Sequence, residues 1–239
     1  NAQYKSNTIY FDDLDEENDQ TVFALWDKNE LTWNLVNGSS KLGYDKTFNI
    51  MNEAFRKWEK ISIFRFSYSN KDDADIMIYF VNTSHKLNDY ENPFKPNVLA
   101  HAYFPRDGDI HFNDEVNFSE SFSTGISLLF VAAHEIGHSL GLSHNDDEGS
   151  IMYPLYRIVH DNFEMDTYDY TRISGKYRDL AWKIYFGTTT TKIPTTTKAS
   201  TTTTEIPTTT TKIPTTTTTL KTIKPDDKKA NFNCSCWVY

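Results

Sequence analysis

The chain has 239 residues and a formal net charge of −9, with 38% hydrophobic and 15% aromatic residues. That is long enough for one domain with a sizeable core plus an appendage. Its acidity argues against a nucleic-acid partner, and no apolar run approaches the ~20 residues of a membrane span. The only cysteines are Cys234 and Cys236. The body therefore holds no disulfide, and metal ions are its expected staples.

Residues 1–20 are polar and acidic around Asp12-Asp13-Leu14-Asp15-Glu16-Glu17 and read as a flexible leader. Residue 1 is Asn, so an initiator Met and any signal peptide are expected outside this stretch. The globular body is expected over 21–187. Leu31 to Val36 alternates like a strand. Asp45 to Lys60 places Phe48, Met51, Phe55 and Trp58 at helical spacing, as core residues. Ile61 to Ser67 reads as a second strand. Ala74 to Val81 is a third, and its near-continuous apolar run predicts a central, parallel position. Short strands follow over Asn97 to Tyr103 and Asp109 to Phe112. Near the end of the body, Arg172 to Phe186 predicts a closing helix with Ile173, Tyr177, Leu180, Ala181, Ile184 and Tyr185 facing inward. Gly187 stops it.

From Thr188 the composition changes. Thr189-Thr190-Thr191-Lys192-Ile193-Pro194 recurs as Thr209-Thr210-Thr211-Lys212-Ile213-Pro214. Such a tract, over 188–224, has no apolar face to dock and is expected to be a disordered, mucin-like stalk. Residues 225–239 form a short tail carrying Cys234 and Cys236, of unassigned role. Sequons at Asn37, Asn82, Asn117 and Asn233 fit a secreted chain.

The chemistry is concentrated in His134-Glu135-Ile136-Gly137-His138-Ser139-Leu140-Gly141-Leu142-Ser143-His144. His134 and His138 are four apart and share one face of a helix. Gly141 permits a positive φ, so the chain can turn and bring His144 round as a third nitrogen ligand. Three protein ligands to zinc leave the fourth tetrahedral position open, the mark of a catalytic site. Glu135 is placed to act as general base and not as a ligand. Ser150-Ile151-Met152-Tyr153-Pro154 follows as a methionine turn, with Met152 as an apolar floor.

Of the four remaining histidines, His85, His101 and His111 fall in one short region before the motif, and His160 reads as ordinary surface. Three histidines there, in a body without cysteine, favour a second, structural zinc. Its fourth ligand would be a carboxylate, and Asp89 is the best-placed candidate.

Several segments together resemble the matrix metalloproteinases. They are Leu31-Thr32-Trp33, Ala74-Asp75-Ile76-Met77-Ile78, Asn97 to Tyr103, Gly108-Asp109-Ile110-His111-Phe112, the histidine motif and Met152-Tyr153-Pro154-Leu155-Tyr156. They cover about 21–187. The resemblance implies an α+β metzincin fold, a twisted, mainly parallel five-stranded sheet with three helices. It implies a monomeric, secreted zinc endopeptidase that cuts extracellular, matrix-type proteins and holds one catalytic zinc, one structural zinc and calcium. Substrate is then expected to pair antiparallel with the strand around Leu99 and Ala100. Pro154 to Tyr156 would line the pocket for the residue after the scissile bond.

The sequence also departs from the family pattern. The aspartate expected two residues after His85 is Leu87, leaving Asn88 or Asp89. A calcium loop is replaced by Pro93-Phe94-Lys95-Pro96, and a further aspartate by Asn113. Fewer calcium sites are expected, with Asp75 and Asp109 as candidate ligands of a surviving one. Two other readings stand beside this one. The first is a catalytically inactive metal-binding module on a stalk, against which intact Glu135 counts. The second is an astacin-like or adamalysin-like branch, against which the missing body cysteines and Asn145 after His144 count.

Overall fold

The computed structural model describes residues 24–84, 86–87, 90–91, 94–95, 97–187 and 233–236. The leader, the stalk, His85 and Asp89 lie outside them. The first strand, β1 (Glu30–Leu35), leads into a long helix, α1 (Tyr44–Ile61), and then into β2 (Arg65–Tyr68) and β3 (Ile76–Val81). Two-residue strands β4 (Lys86–Leu87) and β5 (Tyr90–Glu91) pair with each other. The sheet continues with β6 (Ala100–Tyr103) and β7 (Ile110–Asn113), and a small ladder joins β8 (Phe118–Ser119) to β9 (Ile126–Ser127). Helix α2 (Leu128–Ser139) follows, then α3 (Thr167–Lys176) and α4 (Arg178–Phe186), and finally a strand β10 (Asn233–Cys236).

The main sheet runs β10-β6-β7-β3-β1-β2. The pairs β1/β2, β1/β3 and β3/β7 are parallel, while β6/β7 and β10/β6 are antiparallel. The body thus holds the mainly parallel five-stranded sheet, and β10 adds a sixth strand at its β6 edge. β3 lies between parallel neighbours, where its apolar run predicted it. Ile76, Ile78 and Phe80 are buried. Both faces of such a strand are covered, so alternation is lost.

Helix α1 lays Met51, Ala54, Phe55 and Trp58 into the core. Trp33 of β1 stacks on Phe55 at 5.0 Å between ring centroids, with Phe48 at 5.2 Å. Trp58 also donates its indole N–H to the Ala133 carbonyl at 2.7 Å, which ties α1 to α2. A buried indole needs such a partner, since leaving it unmade costs about 1–3 kcal/mol.

The strand read over Ile61 to Ser67 is confined to Arg65–Tyr68, because α1 runs on through Ile61, and two larger features also differ from the sequence reading. The closing helix begins at Thr167, capped by Asp166 in a reciprocal box with Asp169, and breaks at Tyr177 into α3 and α4. Ile173 and Tyr177 are buried as expected, but Ile184 and Tyr185 are exposed, because beyond the break the helix leaves the core. The second difference is β10 itself. It lies in the tail over 225–239, to which the sequence assigned no role, and strand addition is carried by backbone groups that need no apolar face.

Candidate metal centre

Helix α2 starts at Ser127, whose side chain accepts from the Phe130 N–H, and ends in a Schellman turn. Leu142 N–H reaches back to the Gly137 carbonyl at 2.9 Å, and Gly141 N–H to the His138 carbonyl at 2.7 Å. Gly141 holds φ at 86°, which a residue with a Cβ rarely adopts. The reversal delivers His144 to the imidazoles of the helix. His134 Nε2 lies 3.0 Å from His138 Nε2 and 3.3 Å from His144 Nε2. One ligand atom from each of the three falls within 4.8 Å of the others, and no other group of three or more ligating side chains occurs among the described residues.

The far side of each helical imidazole is fixed by the backbone. His134 Nδ1 lies 2.6 Å from the Ile151 carbonyl, and His138 Nδ1 lies 2.7 Å from the Leu142 carbonyl. A carbonyl only accepts, so each Nδ1 carries the proton and each Nε2 keeps its lone pair for a metal. His134 is fully buried. Burial first, then the neighbouring His138 and His144, hold its pKa well below the ordinary value, which keeps it in the neutral form a ligand requires. Neutral nitrogen donors at tetrahedral spacing fit zinc. Glu135, also buried, follows His134 on the same helix.

Met152 is buried against Gly137 of α2, in the loop that gives the Ile151 carbonyl. That loop is held by a residue that sequence reasoning missed. Asp169 of α3 accepts from Ser150 Oγ at 2.5 Å, from Ile151 N–H at 3.0 Å and from Asp166 N–H at 3.1 Å. Burial raises its pKa, and the donors pull the other way. Arg157 donates to the Ser150 and Gly149 carbonyls and lies over the Phe130 ring. The spacing Asp166-x-x-Asp169 marks a helix cap in the sequence, but nothing local announces its grip on the methionine turn.

Tyr156 accepts from the Ser127 N–H at 2.8 Å, so the segment after Pro154 is pinned to the start of α2. Leu99 and Ala100 are buried at the β6 side of the sheet.

The register His101↔His111 between β6 and β7 brings together two of the upstream histidines, with His101 Nε2 3.1 Å from His111 Nδ1. Both are buried. Phe94 lies over His101 and Tyr79 against His111. The two remaining candidate ligands, His85 and Asp89, are outside the described residues.

Asp75 and Asp109 flank Gly108, which holds φ at 76° and where a Cβ would meet Trp26 at 2.9 Å and the Asp75 carbonyl at 3.2 Å. The Asp75 carboxylate contacts Lys28 at 2.6 Å and Thr32 N–H at 2.8 Å. Burial works to raise its pKa, but Lys28 and Thr32 outweigh it and hold it low. Asp109 accepts from Met77 N–H, and burial followed by the charge of Asp107 pushes it up to about 7. Asn113 donates to the Val98 carbonyl and accepts from Glu115 N–H, so its amide joins β7 to the segment entering β6. A carboxylate has no proton to give Val98.

Two histidines one helical turn apart, a third beyond a glycine turn and a methionine turn packed on Gly137 of their helix form a group that could hold a metal ion, in a metzincin-type fold. The chain belongs to the matrixins, the matrix metalloproteinase family, whose pattern matches residues 25–178. It is 41% identical over 138 residues to stromelysin-1 of Equus caballus, covering 56% of this chain and 28% of that one. It is 36% identical over 158 residues to the macrophage metalloelastase of Rattus norvegicus, covering 64% and 34%. With the hatching enzyme of Paracentrotus lividus it shares 37% over 177 residues, covering 73% and 30%. The matched region thus spans about a third of these relatives' length.

Proposed function

We propose that the chain is a secreted zinc-dependent endopeptidase acting on extracellular, matrix-type proteins. The observation that carries this is the convergence of three Nε2 atoms beside a buried Glu135, with two of the rings set by backbone carbonyls. When bound, zinc supplies Lewis-acid chemistry, making water ionisable near neutral pH and polarising a carbonyl. His134, His138 and His144 would hold it. Glu135 takes the proton of the attacking water and returns it to the leaving amine, so water is divided between the two products.

The edge of β6 that faces away from β7 is the proposed seat of the substrate strand. The Leu99 carbonyl accepts from Asn113 N–H and Tyr103 N–H donates to the Asp109 carbonyl, so odd-numbered residues face β7. Ala100 and Ala102 therefore turn their backbone groups outward, where an extended chain can pair. Pro154 and Tyr156, the latter held by the Ser127 N–H, are assigned to the wall of the pocket for the residue after the scissile bond. His101 and His111, with His85 and Asp89, are assigned to a structural zinc. Asp75 and Asp109 are assigned to calcium. The sequons favour secretion, and no helix among the described residues is long and apolar enough to cross a membrane.

The test is cleavage of a collagen-like peptide by the purified chain, with a zinc chelator and after zinc is restored. Cleavage lost on chelation and regained with zinc is expected. No cleavage by the zinc-loaded chain would favour the inactive metal-binding module.

A further inference from the structure

The sheet edge assigned to substrate carries a strand of this same chain. β10 pairs antiparallel with β6 through Asn233↔Tyr103, Cys234↔Ala102, Ser235↔His101 and Cys236↔Ala100. Ala100 and Ala102 turn their N–H and C=O groups away from β7, as the bonds of Leu99 and Tyr103 require. In this register those outward groups stand opposite Cys234 and Cys236. In an antiparallel ladder such facing residues exchange both backbone hydrogen bonds.

We propose that Asn233–Cys236 is an intramolecular occupant of the β6 edge that competes with substrate for the backbone of Ala100 and Ala102. The proposal rests on the reading of β6 as the substrate edge. Three observations carry it. The direction is antiparallel, as expected of substrate. The paired stretch covers all of β6, from Ala100 to Tyr103. The bonds are backbone bonds, so any segment able to extend can make them, and this one is tethered.

The tether is residues 188–232, which can span on the order of 100 Å when extended, so reach does not limit docking. Loop-closure entropy grows only logarithmically with length, and a tethered segment acts at an effective concentration of order millimolar. A weak strand interaction then suffices to occupy the edge much of the time. Extended substrate must displace β10, and removal of the tail or of its pairing frees the edge.

The test compares Cys234→Pro, Cys236→Pro, Cys234→Ser and Cys236→Ser in the full chain. Proline removes the N–H that faces β6, whereas serine keeps the backbone and removes only the thiol. Amide hydrogen exchange at Ala100 and Ala102 is expected to be slow in the parent and serine variants and fast in the proline variants. With a peptide substrate, the proline variants and a chain lacking residues 225–239 should show KM lowered by on the order of tenfold with kcat unchanged. A synthetic peptide of residues 230–239 should inhibit the shortened chain competitively.

Equal exchange and equal KM in all forms, with cleavage retained, would overturn the proposal alone. So would serine variants that release activity as fully as proline, because the thiols and not the strand would then be responsible. Absence of cleavage in every form, the shortened chain included, would overturn the endopeptidase reading itself.

Discussion

Gly137 and Met152 are matched face to face: a Cβ added to Gly137 would collide with Met152 Sδ and meet Trp58 Cζ2 at 2.9 Å. Gly137, the last residue before the second helical ligand, therefore has no side chain because the methionine turn presses directly on the helix there. Both partners are buried, and interiors of this density do not yield cheaply. Gly137→Ala is expected to destabilise the fold by about 1–3 kcal/mol, the range for overpacking a core, and to lower peptide cleavage. Thermal unfolding and cleavage measured on one preparation would check it. Unchanged melting and activity would show that Met152 can swing away freely.

Glu135 supplies the second expectation. Its carboxylate is assigned to proton transfer, so Glu135→Gln should reduce kcat by at least about 10²–10⁴-fold while zinc content stays at the parent level. Metal analysis alongside kinetics separates base from ligand. Zinc lost with the substitution would remove Glu135 from its assigned role.

Asp169 is the third. Its carboxylate receives Ser150 Oγ and Ile151 N–H, and the Ile151 carbonyl in turn orients His134. Asp169→Ala leaves these donors without acceptors in a buried place, at a cost of about 1–3 kcal/mol for each buried group left unmatched. Weaker zinc retention should accompany the loss of stability, because the Ile151 residue whose carbonyl orients His134 loses its anchor. Competition with a chelator gives the readout. Parent-like zinc affinity in a folded Asp169→Ala chain would uncouple α3 from the metal centre.

The pair His101 and His111 gives the fourth. With the structural zinc in place, the full chain should carry two zinc ions, and His101→Ala should carry one. Cleavage should fall, although His101 is not assigned to substrate contact, because the metal would order the segment leading into β6. One zinc in the parent chain, with activity intact in His101→Ala, would contradict the assignment.

The local pattern of the sequence determined the metal centre. The offsets among His134, His138, Gly141 and His144 encode one helical face and one turn, both governed by interactions within a few residues. The central place of β3 was legible for a related reason, since a strand covered on both faces must be apolar at every position. What only the tertiary structure decided lies between distant segments. Asp169 reaches Ser150 and Ile151 across the loop that separates the methionine turn from α3, and no short-range periodicity records such a contact. The closing helix was read too short at its start and as unbroken, although its end at Phe186 and its stop at Gly187 fell where the sequence put them. Tyr177 breaks it, and Ile184 and Tyr185 keep a helical spacing after the core has run out. The strand at Asn233–Cys236 was invisible for a different reason. Pairing to a sheet edge is made by backbone groups that every residue but proline possesses, so it leaves no mark in side-chain pattern and is decided only where β6 presents its open edge.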